Sequence, residues 1–218
     1  MEPSQERIDL SALREEYSEG GLDESDLEDD PFAMFDHWLR QALAAGIHEP
    51  NAMVVATVGA DGRPASRSVL LKKVTEQGFC FYTNHESRKG RELAAEPHCA
   101  LLFPWYQLHR QVRIEGVAEQ LPRADAEDYF ATRPRESQLG AWASPQSRVV
   151  ASRAELQRAY DDAAARFEGQ PVPCPPYWGG WVVVPETLEF WQGRRGRMHD
   201  RLVYRRAADG WTTERLAP

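Results

Sequence analysis

AMVVATVGADGRPASRSVLLKKV, residues 52–74, reads as two strand segments, 52–58 and 65–74, on either side of Ala60-Asp61-Gly62. Asp-Gly supplies the positive φ that a tight reversal needs, so the stretch predicts an antiparallel hairpin. Working downstream, 78–83 continues as a third strand, and 87–95 is a short helix ending before Pro97. Further strands follow at 99–103 and 111–120, the second alternating Val112 and Ile114 with Arg113 and Glu115, as a half-buried strand does. Residues 122–132 are helical up to Arg133-Pro134, because the residue before proline avoids the helical region. Helices at 136–142 and 152–167 come next, then the proline-rich linker 170–176. Strands at 181–184, 188–191, 202–205 and 211–215 close the chain, the last pair turning at Ala208-Asp209-Gly210.

Upstream of the hairpin, Asp30-Pro31 is a helix start. Phe32, Phe35, Trp38, Leu39, Ala42 and Leu43 form its apolar stripe, which ends at Gly46. Leu10, Leu13 and Tyr17 recur at helical spacing, which predicts a short docking helix. Strands gathered without β-α-β alternation argue against a doubly wound parallel sheet. Neither G-x-G-x-x-G after a strand nor G-x-x-x-x-G-K-[ST] occurs. The expected fold is α+β and mainly antiparallel, a barrel with helices packed outside. Residues 1–30 are expected as an acidic flexible segment carrying that docking helix, and 31–218 as one domain.

At 218 residues a single domain buries about 70% of its unfolded surface, enough for a core without disulfide or metal staples. The net charge of −8 is uneven, since residues 1–30 hold 12 Asp/Glu against two Arg. The body is therefore close to neutral and slightly basic. Its cations are mostly arginine, with lysine only at 72, 73 and 89. Base composition of the genome explains such a bias, and so does the two-pronged grip of arginine on phosphate. Cys80, Cys99 and Cys174 are odd in number and far apart, and no histidines fall at H-x-x-x-H spacing, so no disulfide framework or metal site is expected. With no basic-then-apolar leader and no apolar run near the ~20 residues that span a bilayer, the expectation is a soluble cytoplasmic protein.

Three clusters carry candidate chemistry. Ser87-Arg88-Lys89 opens a helix directly after a strand ending in Tyr82-Thr83, and helix amides with two cations make a phosphate cradle. An exposed pair of cations on a surface helix is the bland alternative. Tyr129, Arg133 and Ser137 lie one helical turn apart, which suits a second phosphate, or else a core tyrosine and a capping arginine. Arg197, His199 and Arg201 leave one face if their segment is extended, and two cations flanking an imidazole call for an anion opposite. A solvated arginine-rich edge or a nucleic-acid patch would also account for six Arg within 194–206, although the net charge weighs against nucleic acid. Nearby Trp191 points to a flat ring. Arg67 and Lys72, five apart on one strand, should face opposite ways, so either one is structural or a bulge re-aims the chain.

Seven co-linear strings tie these pieces together: RSVLLK (67–72), FYTN-x-x-SRK (81–89), LFPW (102–105), RQVRIEG (110–116), RPRESQLGAWAS (133–144), EFWQG (189–193) and RMHDRL-x-Y (197–204). They closely resemble the pyridoxine/pyridoxamine 5′-phosphate oxidase family, from about Leu13 to the final RLAP. The resemblance implies an FMN-binding split β-barrel working as a homodimer, with FMN at the subunit interface. It implies flavin contacts from Arg67, Lys72, Tyr82, Thr83, Arg88, Lys89, Gln111, Gln146, Ser147, Trp191 and Arg201, with the backbone of Ser68, Val69, Leu70 and Leu71. Ser68 stands where the family typically has an apolar residue, which a backbone contact tolerates. Substrate contacts are implied for Lys72, Tyr129, Arg133, Ser137, Arg197 and His199, the last two at the reacting ring, with Arg14 and Tyr17 as a lid.

The implied reaction oxidises pyridoxamine 5′-phosphate or pyridoxine 5′-phosphate to pyridoxal 5′-phosphate, with O2 as acceptor and H2O2 released. Fixed positive charge at the flavin and close positioning of the substrate would then be the protein's contribution. Relatives of this fold act on other substrates, phenazine-type oxidases and deazaflavin-dependent reductases among them, and a non-catalytic flavin or pyridoxal-phosphate carrier is a further alternative. The 133–144 block favours a phosphorylated pyridoxal-type substrate, and the Arg197/His199 pair argues against a carrier.

Overall fold

The computed structural model describes Tyr17 and residues 20–218. The expected helix over Leu10, Leu13 and Tyr17, and Arg14 with it, lies outside the described residues apart from Tyr17.

Helix α1 (Pro31–Ala44) begins as its sequence demands: Asp30 accepts from the Phe32 N–H at 3.2 Å and Pro31 occupies the first turn. Met34, Phe35, Trp38 and Ala42 are buried against the sheet, where Phe35 meets Phe79 and Phe103 edge-on at 5.0 and 4.9 Å. Each such ring stabilises the fold by about 1.5–3 kcal/mol through burial alone. Leu43, expected in the stripe, is 59% exposed, and Met34 takes its place on the buried face.

The hairpin forms as expected from β1 (Ala52–Val58) and β2 (Pro64–Leu70), with Gly62 at φ +75° in the turn. The strand expected over 65–74 is broken, however. Leu71 N–H donates to Asn51 O and Lys72 N–H to Cys80 O, so the chain leaves β1 and joins β4 (Phe79–Asn84) as the two-residue β3 (Lys73–Val74). This change of partner falls between Arg67 and Lys72.

Helix α2 (Arg88–Ala95) follows β4, then β5 (His98–Trp105) and β6 (Arg110–Gln120). Helices α3 (Arg123–Ala131), α4 (Arg135–Ala143) and α5 (Arg153–Arg166) precede β7 (Trp178–Gln192), β8 (Asp200–Ala207) and β9 (Gly210–Arg215). The strands join in one antiparallel sheet, β2-β1-β5-β6-β7-β4-β3. β7, expected as two strands, is a single one. Pro185-Glu186 forms a bulge opposite Glu115/Gly116, which absorbs a proline that has no N–H to give. Gly116 is required there, because a Cβ would lie 2.1 Å from Val184 O.

Along one edge of β7 runs β6, while the other edge forks, its first half pairing with β4 and its second with β8. That fork splits the barrel. The main core lies between α1 and the sheet, and a smaller one joins Phe130, Leu139, Phe167 and Trp178 beneath α3–α5. No helix among the described residues is long and apolar enough to cross a membrane.

Candidate functional site

A cavity of about 660 Å³ opens where the end of β2, the end of β4, α2 and the α3–α4 turn converge. Ser68, Val69, Leu70, Lys72, Tyr82, Thr83, Lys89 and Gln146 line it, and so do Tyr129, Arg133 and Ser137. Two clusters singled out separately in the sequence thus share one space.

Behind one wall, of which only Lys89 lines the cavity, lies a cation cradle built on Glu92. This carboxylate is 7% exposed, and it accepts from Arg67 Nη2 at 2.8 Å, Arg88 Nε at 2.7 Å and Thr57 Oγ1 at 2.6 Å. Burial pushes the Glu92 carboxyl up, but these hydrogen bonds outweigh it and hold it below the ordinary value. Ser87 caps α2 by accepting from Gly90 N–H, which places Lys89 inward. The Lys89 ammonium donates to Thr83 Oγ1 at 3.0 Å and Gln146 Oε1 at 3.1 Å, both neutral. Burial, and then the charge of Arg67, lower its pKa to about 8, against a weaker opposing pull from Glu92. Arg67 and Arg88 therefore share one carboxylate while Lys89 has only neutral hydrogen-bond partners, and an anion is wanted beside Lys89.

The opposite wall is aromatic. Tyr82 stacks on Tyr129 (4.1 Å between centroids) and on Trp178 (5.6 Å), within 18° of parallel. Arg133, in the turn before Pro134, lies over the Trp178 ring at 4.8 Å. Its Nη1 is buried without a hydrogen-bond partner, and burial lowers its pKa. A guanidinium N–H left unmet beside a cavity is a second demand for an anion.

The other expected residues stand elsewhere. Gln111, Trp191 and Arg201 are register partners across β6, β7 and β8, one row of the sheet. Arg201 grips Glu189 with two hydrogen bonds, at 2.8 and 3.0 Å. His199 lies 4.6 Å from the Trp191 ring, and Tyr17 meets His199, His109 and Trp191 edge-on. This row sits at the far end of β7 from Gly180, which pairs with the cavity's Tyr82, up to about 36 Å along the strand. One chain therefore carries its candidate residues in two separated groups. Leu71 is buried with its N–H on Asn51, and Arg67, Arg88 and Ser147 flank the cavity without lining it.

The extended geometry expected for 197–201 is corrected. Arg195–Arg197 is a 3₁₀ turn with Gly196 and Arg197 at φ +64° and +62°, and the strand begins only at Asp200. His199 Nδ1 accepts from Arg194 N–H at 3.1 Å, so the neutral ring carries its hydrogen on Nε2. Burial first, and Arg197 second, hold the His199 pKa below 6.5. Sequence reasoning missed Trp178 and Glu92. Only Glu92 had a signal, its i+4 spacing from Arg88.

Residues 39–167 match the family model described as pyridoxamine 5′-phosphate oxidase, and 178–218 match that described as the pyridoxine 5′-phosphate oxidase C-terminal dimerisation region. A Nocardioides sp. protein named pyridoxine/pyridoxamine 5′-phosphate oxidase is 63% identical over 211 residues, covering 97% of this chain and 99% of its own. One of the same name from Rubrobacter xylanophilus is 54% identical, covering 99% of this chain and 100% of its own. Among solved structures, PhzG from Burkholderia lata 383, in complex with tetrahydrophenazine-1-carboxylic acid, superimposes with TM-score 0.84 at 31% identity, over 89% of this chain and 95% of that one.

Proposed function

This chain belongs to the pyridoxamine 5′-phosphate oxidase family, and from that premise we propose that it oxidises pyridoxamine 5′-phosphate and pyridoxine 5′-phosphate to pyridoxal 5′-phosphate. FMN is the cofactor and O2 the acceptor. With the amine, one O2 and one water are consumed, and the aldehyde, ammonia and H2O2 are released. With the alcohol, O2 alone is consumed and H2O2 leaves with the aldehyde.

The observation that carries this reading is the pair of unmet anion demands in one cavity, at Lys89 and at Arg133. Cofactor and substrate each bring a phosphate. The FMN phosphate belongs with Arg67, Arg88 and Lys89, where only Glu92 offsets three cations, so the residues present fit the group. Thr83, Gln146 and Ser147 complete that side. Tyr129, Arg133 and Ser137 take the substrate phosphate, and Lys72 lines the same cavity. When bound there, FMN would supply the two-electron redox chemistry and the reactivity towards O2. This chain's residues bind, orient and exclude water. Arg197 and His199 orient the substrate ring, His199 offering a neutral Nε2–H donor.

Because the two half-sites are far apart in one chain, the second, with Gln111, Trp191, Arg197, His199 and Arg201, completes the cavity of a second copy. The match of 178–218 to a dimerisation region supports a homodimer with FMN at the interface. Three unpaired cysteines suit a reducing cytoplasm.

Purified protein supplied with pyridoxamine 5′-phosphate should turn over with release of peroxide, and it should carry one flavin per chain. Absence of peroxide with saturating FMN overturns the proposal. Turnover of a phenazine precursor in preference to the phosphorylated amine would assign the cavity to the chemistry of the PhzG relative instead.

A further inference from the structure

Asp200 opens β8 directly after His199 and is 7% exposed, yet it does not line the cavity. Its carboxylate is a junction. Oδ2 accepts from Leu22 N–H at 2.9 Å and from Arg194 Nε, and Oδ1 accepts from Arg215 Nη1 at 2.7 Å. Arg215 also donates to Leu22 O at 3.1 Å and to both Glu24 oxygens at 2.8 Å. One buried anion thus joins the strap 20–24, the loop 194–199 and the end of β9. Burial pushes its carboxyl up, but Arg194, the Leu22 N–H and Arg215 outweigh that and keep it ionised.

The loop is closed twice, by the Arg194 side chain on Asp200 and by Arg194 N–H on His199 Nδ1. Within it Arg197 holds a left-handed backbone that an L side chain rarely adopts, so closure is needed to keep it there. The strap packs flat on the same arginine, since a Cβ on Gly21 would lie 2.0 Å from Arg194 Nη2. Just before the strap, the Tyr17 ring sits 5.4 Å from that of His199.

We propose that Asp200 is a positioning residue that locks the strap 20–24 to the loop presenting Arg197 and His199, so that strap and substrate-orienting groups are set together. This rests on the oxidase reading above. An amide at 200 keeps the shape but cannot accept from all three donors, because its NH2 must face a guanidinium or the Leu22 N–H.

The test compares Asp200→Asn, Arg197→Met and the double variant as holoenzymes, by steady-state kinetics with pyridoxamine 5′-phosphate, flavin content and amide hydrogen exchange. Asp200→Asn should keep its flavin, raise KM and lower kcat/KM at least tenfold. It should also speed exchange in both 20–24 and 194–199. In the Arg197→Met background the same change should cost clearly less, because part of its effect passes through Arg197 and the rest through His199. An equal loss in both backgrounds, or unchanged kinetics, overturns the proposal. Should Asp200→Asn not accumulate, Arg194→Gln removes one arm of the junction, and it must lower kcat/KM with flavin retained or the proposal fails. If wild type itself releases no peroxide, the oxidase reading is what fails. Exchange then still decides the lock: coupled loosening of both segments upholds it, and loosening of only one overturns it.

Discussion

Between pH 7 and pH 9 the affinity of this protein for FMN should fall about tenfold, through a single lysine. Lys89 is pushed down to about 8 from an ordinary 10.5 by burial and by Arg67, and its hydrogen-bond partners are neutral. A phosphate dianion beside it favours the charged form and restores the higher value. At pH 9 only about one copy in eleven carries the proton before FMN binds, whereas at pH 7 about nine in ten do. The ratio of competent fractions is about ten, or about 1.4 kcal/mol. The ligand's phosphate is essentially a dianion across this range, its second pKa being about 6.

The same shift requires uptake of about 0.9 proton per FMN bound at pH 9. Titration calorimetry in two buffers of different ionisation enthalpy measures both quantities. Lys89→Arg, charged throughout, should flatten the pH dependence at high affinity, and Lys89→Met should flatten it at low affinity. The ligand-free protein should move the opposite way. Between about pH 8 and 10.5 the unfolded chain holds more protons at this position, so stability rises with pH there. Wild-type affinity unchanged from pH 7 to 9, or the same slope in Lys89→Met, refutes the reasoning.

Arg88→Ala should weaken FMN retention by about 1.5–3 kcal/mol, roughly 10–150-fold, while turnover at excess FMN is largely kept; dialysis followed by fluorescence reads the first and peroxide release the second. Arg197→Met should raise KM for pyridoxamine 5′-phosphate and lower kcat with flavin still near one per chain, and flavin loss with normal turnover on resupply would move Arg197 to the cofactor. The acid limb of kcat/KM should lie below pH 6.5, because protonating His199 Nδ1 breaks its bond from Arg194 N–H, and His199→Asn should abolish that limb. Mixing refolded Arg133→Ala and Arg197→Met chains should restore about a quarter of wild-type activity, since half the dimers then contain one intact site, and no recovery would place both half-sites in one protomer.

Local chemistry was enough to read most elements from the chain alone. Asp30-Pro31 starts α1, Asp61-Gly62 turns the first hairpin, and Ser87 caps α2, because each acts through its own backbone neighbours. The motif strings likewise marked many of the cavity residues, Lys89 and the 133–137 turn among them, though not Trp178. What the chain by itself determined therefore ends where partners distant in sequence take over. The break at Leu71-Lys72 exists because Cys80 O offers Lys72 a better partner than β1 does, and the unbroken β7 exists because Glu115/Gly116 accommodates its bulge. Only the tertiary structure paired Glu92 with Arg67 and Asp200 with Leu22, turned the 195–197 segment out of extended form, and separated the cavity from the Trp191–Arg201 row along β7. Hydrogen bonds over such sequence distances depend on which surfaces burial has already brought together, and no local propensity encodes that.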